Sequence, residues 1–261
     1  MQNIIDARQV IRSGEYTGYT SGWCRDYVQG NLCIVSQKDS RDFAEFCRLN
    51  PKPCPVLAQG EPGNPILESL GNINICTDLP RYRVWRNGQL ADTVSDISSI
   101  WQDDMVAFVL GCSFSFDQLF INAGLPLPHL DDGTMVAMYQ TWQDCVPVGK
   151  FHGRLVVSMR QFRADHAIEA IAISSRYPLA HGTPVHIGDP TLIGIKDLSQ
   201  PNYGDVPRVV QGHLPVFWAC GVTPQSILST SPDVNLAITH EPGCMLITDI
   251  LYSNIENVDC Y

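Results

Sequence analysis

The chain has 261 residues, 44% hydrophobic and 17% charged, enough for one large domain or two smaller ones with a full core. Its net charge of -10 argues against nucleic acid or an anionic membrane as the main partner, since both need a basic face, but it leaves room for a small anionic metabolite held by local arginines. The start, residues 1–8, lacks the basic region and apolar stretch of a secretory signal, no run can span a bilayer, and the ten cysteines show neither C-x-x-C nor zinc-finger spacing, so a cytoplasmic protein with reduced thiols is expected.

Strand and helix signals alternate without repeats. Residues 6–13 read as a helix running into a glycine-rich loop over 14–22. A short strand over 32–35 precedes a helix over 41–49, with Phe43, Phe46 and Cys47 on one face and Asn50-Pro51 as its stop. Pro and Gly crowd residues 51–65, which should form an ordered connection rather than a regular element. Asn87-Gly88, between strand-like runs over 82–85 and 89–93, signals a hairpin. A buried strand over 105–111 ends at Cys112, and Ser115 with Gln118 has capping-box spacing for a helix over 116–123, stopped by Gly124. A strand over 153–160 and an amphipathic helix over 165–175 follow, and the apolar run before Cys220 leads to Thr223 as a cap with Pro224 in the first helical position. The pattern predicts an α/β fold with two domains. A mixed-sheet α/β main domain takes 1–125 and 186–261, and a smaller α+β domain, inserted or packed, takes 126–185, with a pocket between the layers.

The segments around Cys112 and Cys220 are alike: each is an apolar run ending in a thiol, followed by hydroxyl residues that can start a helix. A thiol just before a helix N-terminus can titrate low and act as nucleophile or base, and the same N-H groups can hold a carboxylate. Cysteine at a strand end is also simply a small buried hydrophobe. The loop from His181 to Pro190 places His181, His186 and Asp189 within nine residues, suited to proton transfer, to substrate hydrogen bonds or to turn-stabilising bonds. No cofactor is predicted, although a divalent metal at His181, His186 and Asp189 is allowed if the loop folds back on itself. His240 precedes a Pro-Gly turn, where loop placement often carries function, and Arg160 could grip a carboxylate or sit in an ion pair.

Taken together, Ala7-Arg8, the run from Ile11 to Gly18, Tyr27 to Leu32, Asn50 to Pro55, Gly111 to Phe116, His181 to Pro190, Phe217 to Gln225 and Ile238 to His240 closely resemble the D-glutamate cyclase family over nearly the whole chain. The resemblance implies a two-domain α/β fold and conversion of D-glutamate to 5-oxo-D-proline with loss of water. It names no catalytic residues, so those are assigned from chemistry. That reaction needs a base, an acid and anion binding. His181, His186 or His240 could exchange the protons, with Asp189 nearby; the turns after Cys112 and Cys220 could hold carboxylates, with Ser113, Ser115 and Thr223 as hydroxyl donors and Arg160 as a guanidinium. Two further readings stay open, a cofactor-independent racemase or epimerase using the two thiols, and a metabolite-binding protein without turnover. A homo-oligomer is also allowed.

Overall fold

In the computed structural model, which describes residues 3–258, the apolar alternation resolves into two separate sheets. Met1, Gln2 and residues 259–261, with Cys260 among them, lie outside the described residues, so the reading of the first residues as lacking a signal is only partly covered. The first half of the chain runs through α1 (Ile4–Arg12), β1 (Tyr27–Ser36), α2 (Gln37–Leu49), β2 (Val56–Gln59), β3 (Tyr82–Arg86), β4 (Gln89–Val94) and β5 (Met105–Gly111). The second half adds α3 (Asp117–Asn122), α4 (Pro128–Asp131), β6 (Met138–Asp144), β7 (Arg154–Phe162), α5 (Ala164–Ser174), β8 (His186–Ile187), β9 (Leu214–Ala219), α6 (Thr223–Ser229), β10 (Leu236–His240) and β11 (Leu246–Leu251).

The larger sheet has the order β2-β5-β1-β10-β3-β4, with β11 also paired to β1, and the smaller is β6-β7-β9-β8. The α/β class holds, but among the described residues every strand pairing in both sheets is antiparallel, so the sheets are antiparallel rather than mixed. β8 and β9 come from beyond residue 185 and complete the smaller sheet. The Cys112 turn therefore ends a strand of one sheet and the Cys220 turn a strand of the other.

The β3–β4 hairpin turns through Asn87 and Gly88, both with positive φ (48° and 77°), as a two-residue loop between twisted strands demands. β1 is longer than its apolar run because Gln29, Gly30 and Asn31 pair in the ladder despite their polarity. The connection at 51–65 contains a strand after all, since β2 finds its partner in β5.

The period-two alternation of β7 decides what each of its residues meets. Val157 and Met159 join Phe217 and Ala219 of β9 in a core shared with Cys33, Val35, Phe108 and Leu110 of the larger sheet, so this core is the layer between the two sheets. Phe43 of α2 packs there edge-on against Phe108 and Phe151, at 4.9 and 5.2 Å. Ser158, Arg160 and Phe162 point the other way, towards Trp218, Phe116 and Phe120, where α3 and α5 cover the smaller sheet.

Candidate active site

Where the ends of β5 and β9 meet, backbone contact replaces side chains. A Cβ on Gly111 would run into the carbonyl oxygen of Leu179, and one on Gly221 into the Asn31 side chain. Asn31 Nδ2 in turn donates to Gly111 O at 2.6 Å, so β1, β5 and the turn after β9 are locked together around one amide. This junction brings Cys112, Cys220, Ser113 and Arg160 to one place, with His181 beside it.

Arg160 is fully buried between the rings of Phe116 and Trp218, with its guanidinium carbon 5.3 and 5.7 Å from their centroids. Its Nε donates to Asp117 Oδ1 at 2.6 Å, one Nη to Ser158 Oγ at 3.1 Å, and the other to Ser113 O at 3.3 Å. The guanidinium is thus committed inside the protein instead of open to a substrate carboxylate, as a buried charge must be if it is to stay charged. Asp117 completes the set: its Oδ2 lies 3.5 Å from His129 Nε2. Burial alone would raise the Asp117 carboxyl, but Arg160 and His129 outweigh it and hold the group below the ordinary carboxylate range.

The two thiols depart from the expectation of low titration. Burial pushes Cys112 up to about 12 and Cys220 up to about 11; a backbone N-H and the Arg160 charge pull each down, without overcoming the loss of water. Cys220 Sγ contacts Met138 Sδ in an apolar cluster with Val156 and Val222. Nor do the expected caps form. Thr223 is the first residue of α6 and fully buried, and its hydroxyl donates to Cys220 O at 2.7 Å and accepts from Val156 N, stitching α6 to β7. Gln118 Nε2 bonds Asn122 instead of closing a box with Ser115, which sits buried in a 3₁₀ turn beside the Tyr252 hydroxyl.

The histidines separate into two kinds. His181 and His240 are buried, and burial drives both down to about 4, against opposing bonds to the Lys52 and Leu32 backbones respectively. His181 Nδ1 lies 2.6 Å from Lys52 O, so that nitrogen carries the proton. His186 and Asp189 form a local turn: the imidazole bonds Asp189 O at 2.7 Å, and the exposed carboxylate caps Thr191. His181, His186 and Asp189 do not converge, and among the described residues no group of three or more His, Cys, Asp or Glu is arranged to hold a metal.

Beside Asp117 opens a cleft of about 600 Å³. Asp117, Gln118 and Phe114 form one wall, Leu127 and Asp131 come from the α4 region, and Trp23 and Arg25 come from the loop before β1. That loop is held by Gln29, whose Nε2 donates to Thr20 O (2.8 Å) and Trp23 O (3.0 Å), leaving its Oε1 buried and unpartnered.

A sequence profile for D-glutamate cyclase matches residues 106–249. Over 257 residues, 98% of both chains, the protein is 52% identical to a Pelagibacter ubique protein carrying the provisional name hydro-lyase. It is 55% identical over 247 residues (94% of this chain, 90% of the other) to one so named from Verminephrobacter eiseniae. The chain belongs to the D-glutamate cyclase family. Of solved structures, a nitrogen repressor-like protein from Methanococcus jannaschii aligns over 96% of this chain and 97% of its own, at a TM-score of 0.42 and 9% identity, too slight a likeness to compare sites.

Within this family member, the residues that sequence reasoning passed over are Asp117, His129 and Gln29. Asp117 directly follows the Gly111–Phe116 motif, where the capping-box reading drew attention to its neighbours. Gln29 stands inside the Tyr27–Leu32 motif. His129 had no local signal, since its importance comes from its approach to Asp117 across a loop.

Proposed function

We propose that the protein closes D-glutamate to 5-oxo-D-proline with loss of water, in the cleft beside Asp117. Family membership supports a hydro-lyase class. The observation that carries the substrate reading is the charge arrangement of the cleft, which sets Asp117 and Asp131 against Arg25 among the apolar surfaces of Trp23, Phe114 and Leu127. Carboxylates for an ammonium and a guanidinium for a carboxylate match an amino acid better than a simple anion.

In the reaction the amine nitrogen bonds to the γ-carboxyl carbon, one carbon-oxygen bond of that carboxyl breaks, and two ammonium protons leave with the oxygen as water. Asp117 orients the ammonium, and His129, which lies behind that carboxylate and not on the cleft wall, exchanges protons with the substrate through Asp117 on their way to the departing oxygen. Arg160 keeps Asp117 ionised and in place, while Cys112 and Cys220, protonated at neutral pH, serve as packing. The raised thiols leave the two-cysteine racemase without support.

The test follows lactam formation and α-deuterium uptake by NMR with D- and L-glutamate, with and without a divalent metal. Lactam from D-glutamate is expected; no lactam from either enantiomer, or deuterium uptake alone, would overturn the reading. Asp117→Asn strands the Arg160 charge in the interior and risks the fold. His129→Gln is the cleaner variant, expected to lower kcat about a hundredfold while circular dichroism stays unchanged.

A further inference from the structure

We infer that Arg25 is the specificity-determining residue of the cleft, binding the α-carboxylate that does not react, and so making the site selective for α-amino acids over simple amines and ω-amino acids. The inference rests on the cleft being the substrate site proposed above.

Of the described residues lining the cleft, Arg25 is the one cation. It is exposed, and its single hydrogen bond in this structure, Nε to Gly22 O at 3.2 Å, leaves the two terminal nitrogens available for a bidentate grip. Arg160, by contrast, has all its nitrogens engaged by Asp117, Ser158 and Ser113. The segment that presents Arg25 is shaped for the purpose. The chain turns through positive φ at Gly22 (78°) and Cys24 (45°), Trp23 packs against Tyr16 at a tilt of 33° with centroids 4.3 Å apart, and Gln29 ties the loop down from β1. An exposed arginine is thereby held on a fixed loop at a cleft that otherwise carries only carboxylates as charges, where a ligand bearing carboxylates alone would be repelled by Asp117 and Asp131.

D-2-Aminobutyrate has the amine and the α-carboxylate but no carboxylate that can cyclise; 4-aminobutyrate has the amine and the carboxylate that would react but no α-carboxylate. Binding of each to the whole protein is measured by ligand-observed NMR, so the readout is independent of turnover. Arg25→Gln should weaken D-2-aminobutyrate about tenfold or more and leave 4-aminobutyrate unchanged, with partial rescue by Arg25→Lys. Equal affinity of Arg25→Gln and the native protein for D-2-aminobutyrate would overturn the inference, as would an equal loss for both ligands. Loss confined to D-2-aminobutyrate in a protein that makes no lactam would uphold Arg25 and overturn the cyclase reading; lactam formation with KM for D-glutamate unmoved by Arg25→Gln would do the reverse.

Discussion

His181 and His240 are imidazoles that the fold keeps neutral. An unfolded chain protonates them near the ordinary 6.5, whereas the buried rings resist until about 4. Protons therefore bind the unfolded state preferentially between those values, so the stability these residues contribute is complete above pH 6.5 and is lost as pH falls towards 4, by about 3 kcal/mol per ring at most. Urea unfolding as a function of pH checks this. His181→Asn, which tolerates the positive φ of 80° at that position, should flatten the slope in this window. Single residues also show what a sequence reveals and what it conceals. The thiols stand out by type and by strand-end position and Arg160 by type, and the fold does gather them. Their protonation and partners depend on exclusion of water and on Asp117, which no local spacing encodes.

At the scale of elements, most strands and helices were legible because they obey one period. The β3–β4 hairpin, β5, β7 and α5 all follow from apolar spacing and turn residues. The beginning of β1 and the whole of β2 were hidden, since their pairing comes from β5 and β11 and not from their own composition. Two glycines bring this into measurable form. Gly111 faces a backbone carbonyl that cannot swing aside, so Gly111→Ala should cost about 1–3 kcal/mol and disturb the junction of the Cys112 turn. Gly124, with positive φ (77°) and open space around it, should cost only the backbone strain, about 1 kcal/mol. Denaturant midpoints of the two variants give the order, and a reversed order would mean that the β5 end yields more readily than its packing implies.

For the whole molecule, the division of the chain at 126–185 followed a change of pattern, but hydrogen bonding carries the smaller sheet on to residue 219. The core between the sheets draws its residues from both of them. Neither sheet can lose the other without exposing Phe108 and Phe217, so calorimetry should show one transition with equal calorimetric and van't Hoff enthalpies. Two resolved transitions would mean that the sheets hold independently. The placement of β1 has a consequence for how the chain acquires this shape. Leu32 bonds to a histidine 208 residues further on, and β10 and β11 supply one whole flank of β1. During synthesis β1 leaves the ribosome among the first elements and waits for nearly all the rest. The larger sheet closes only when the end of the chain arrives, and a nascent chain stalled before β10 would expose the edge on which this protein is built.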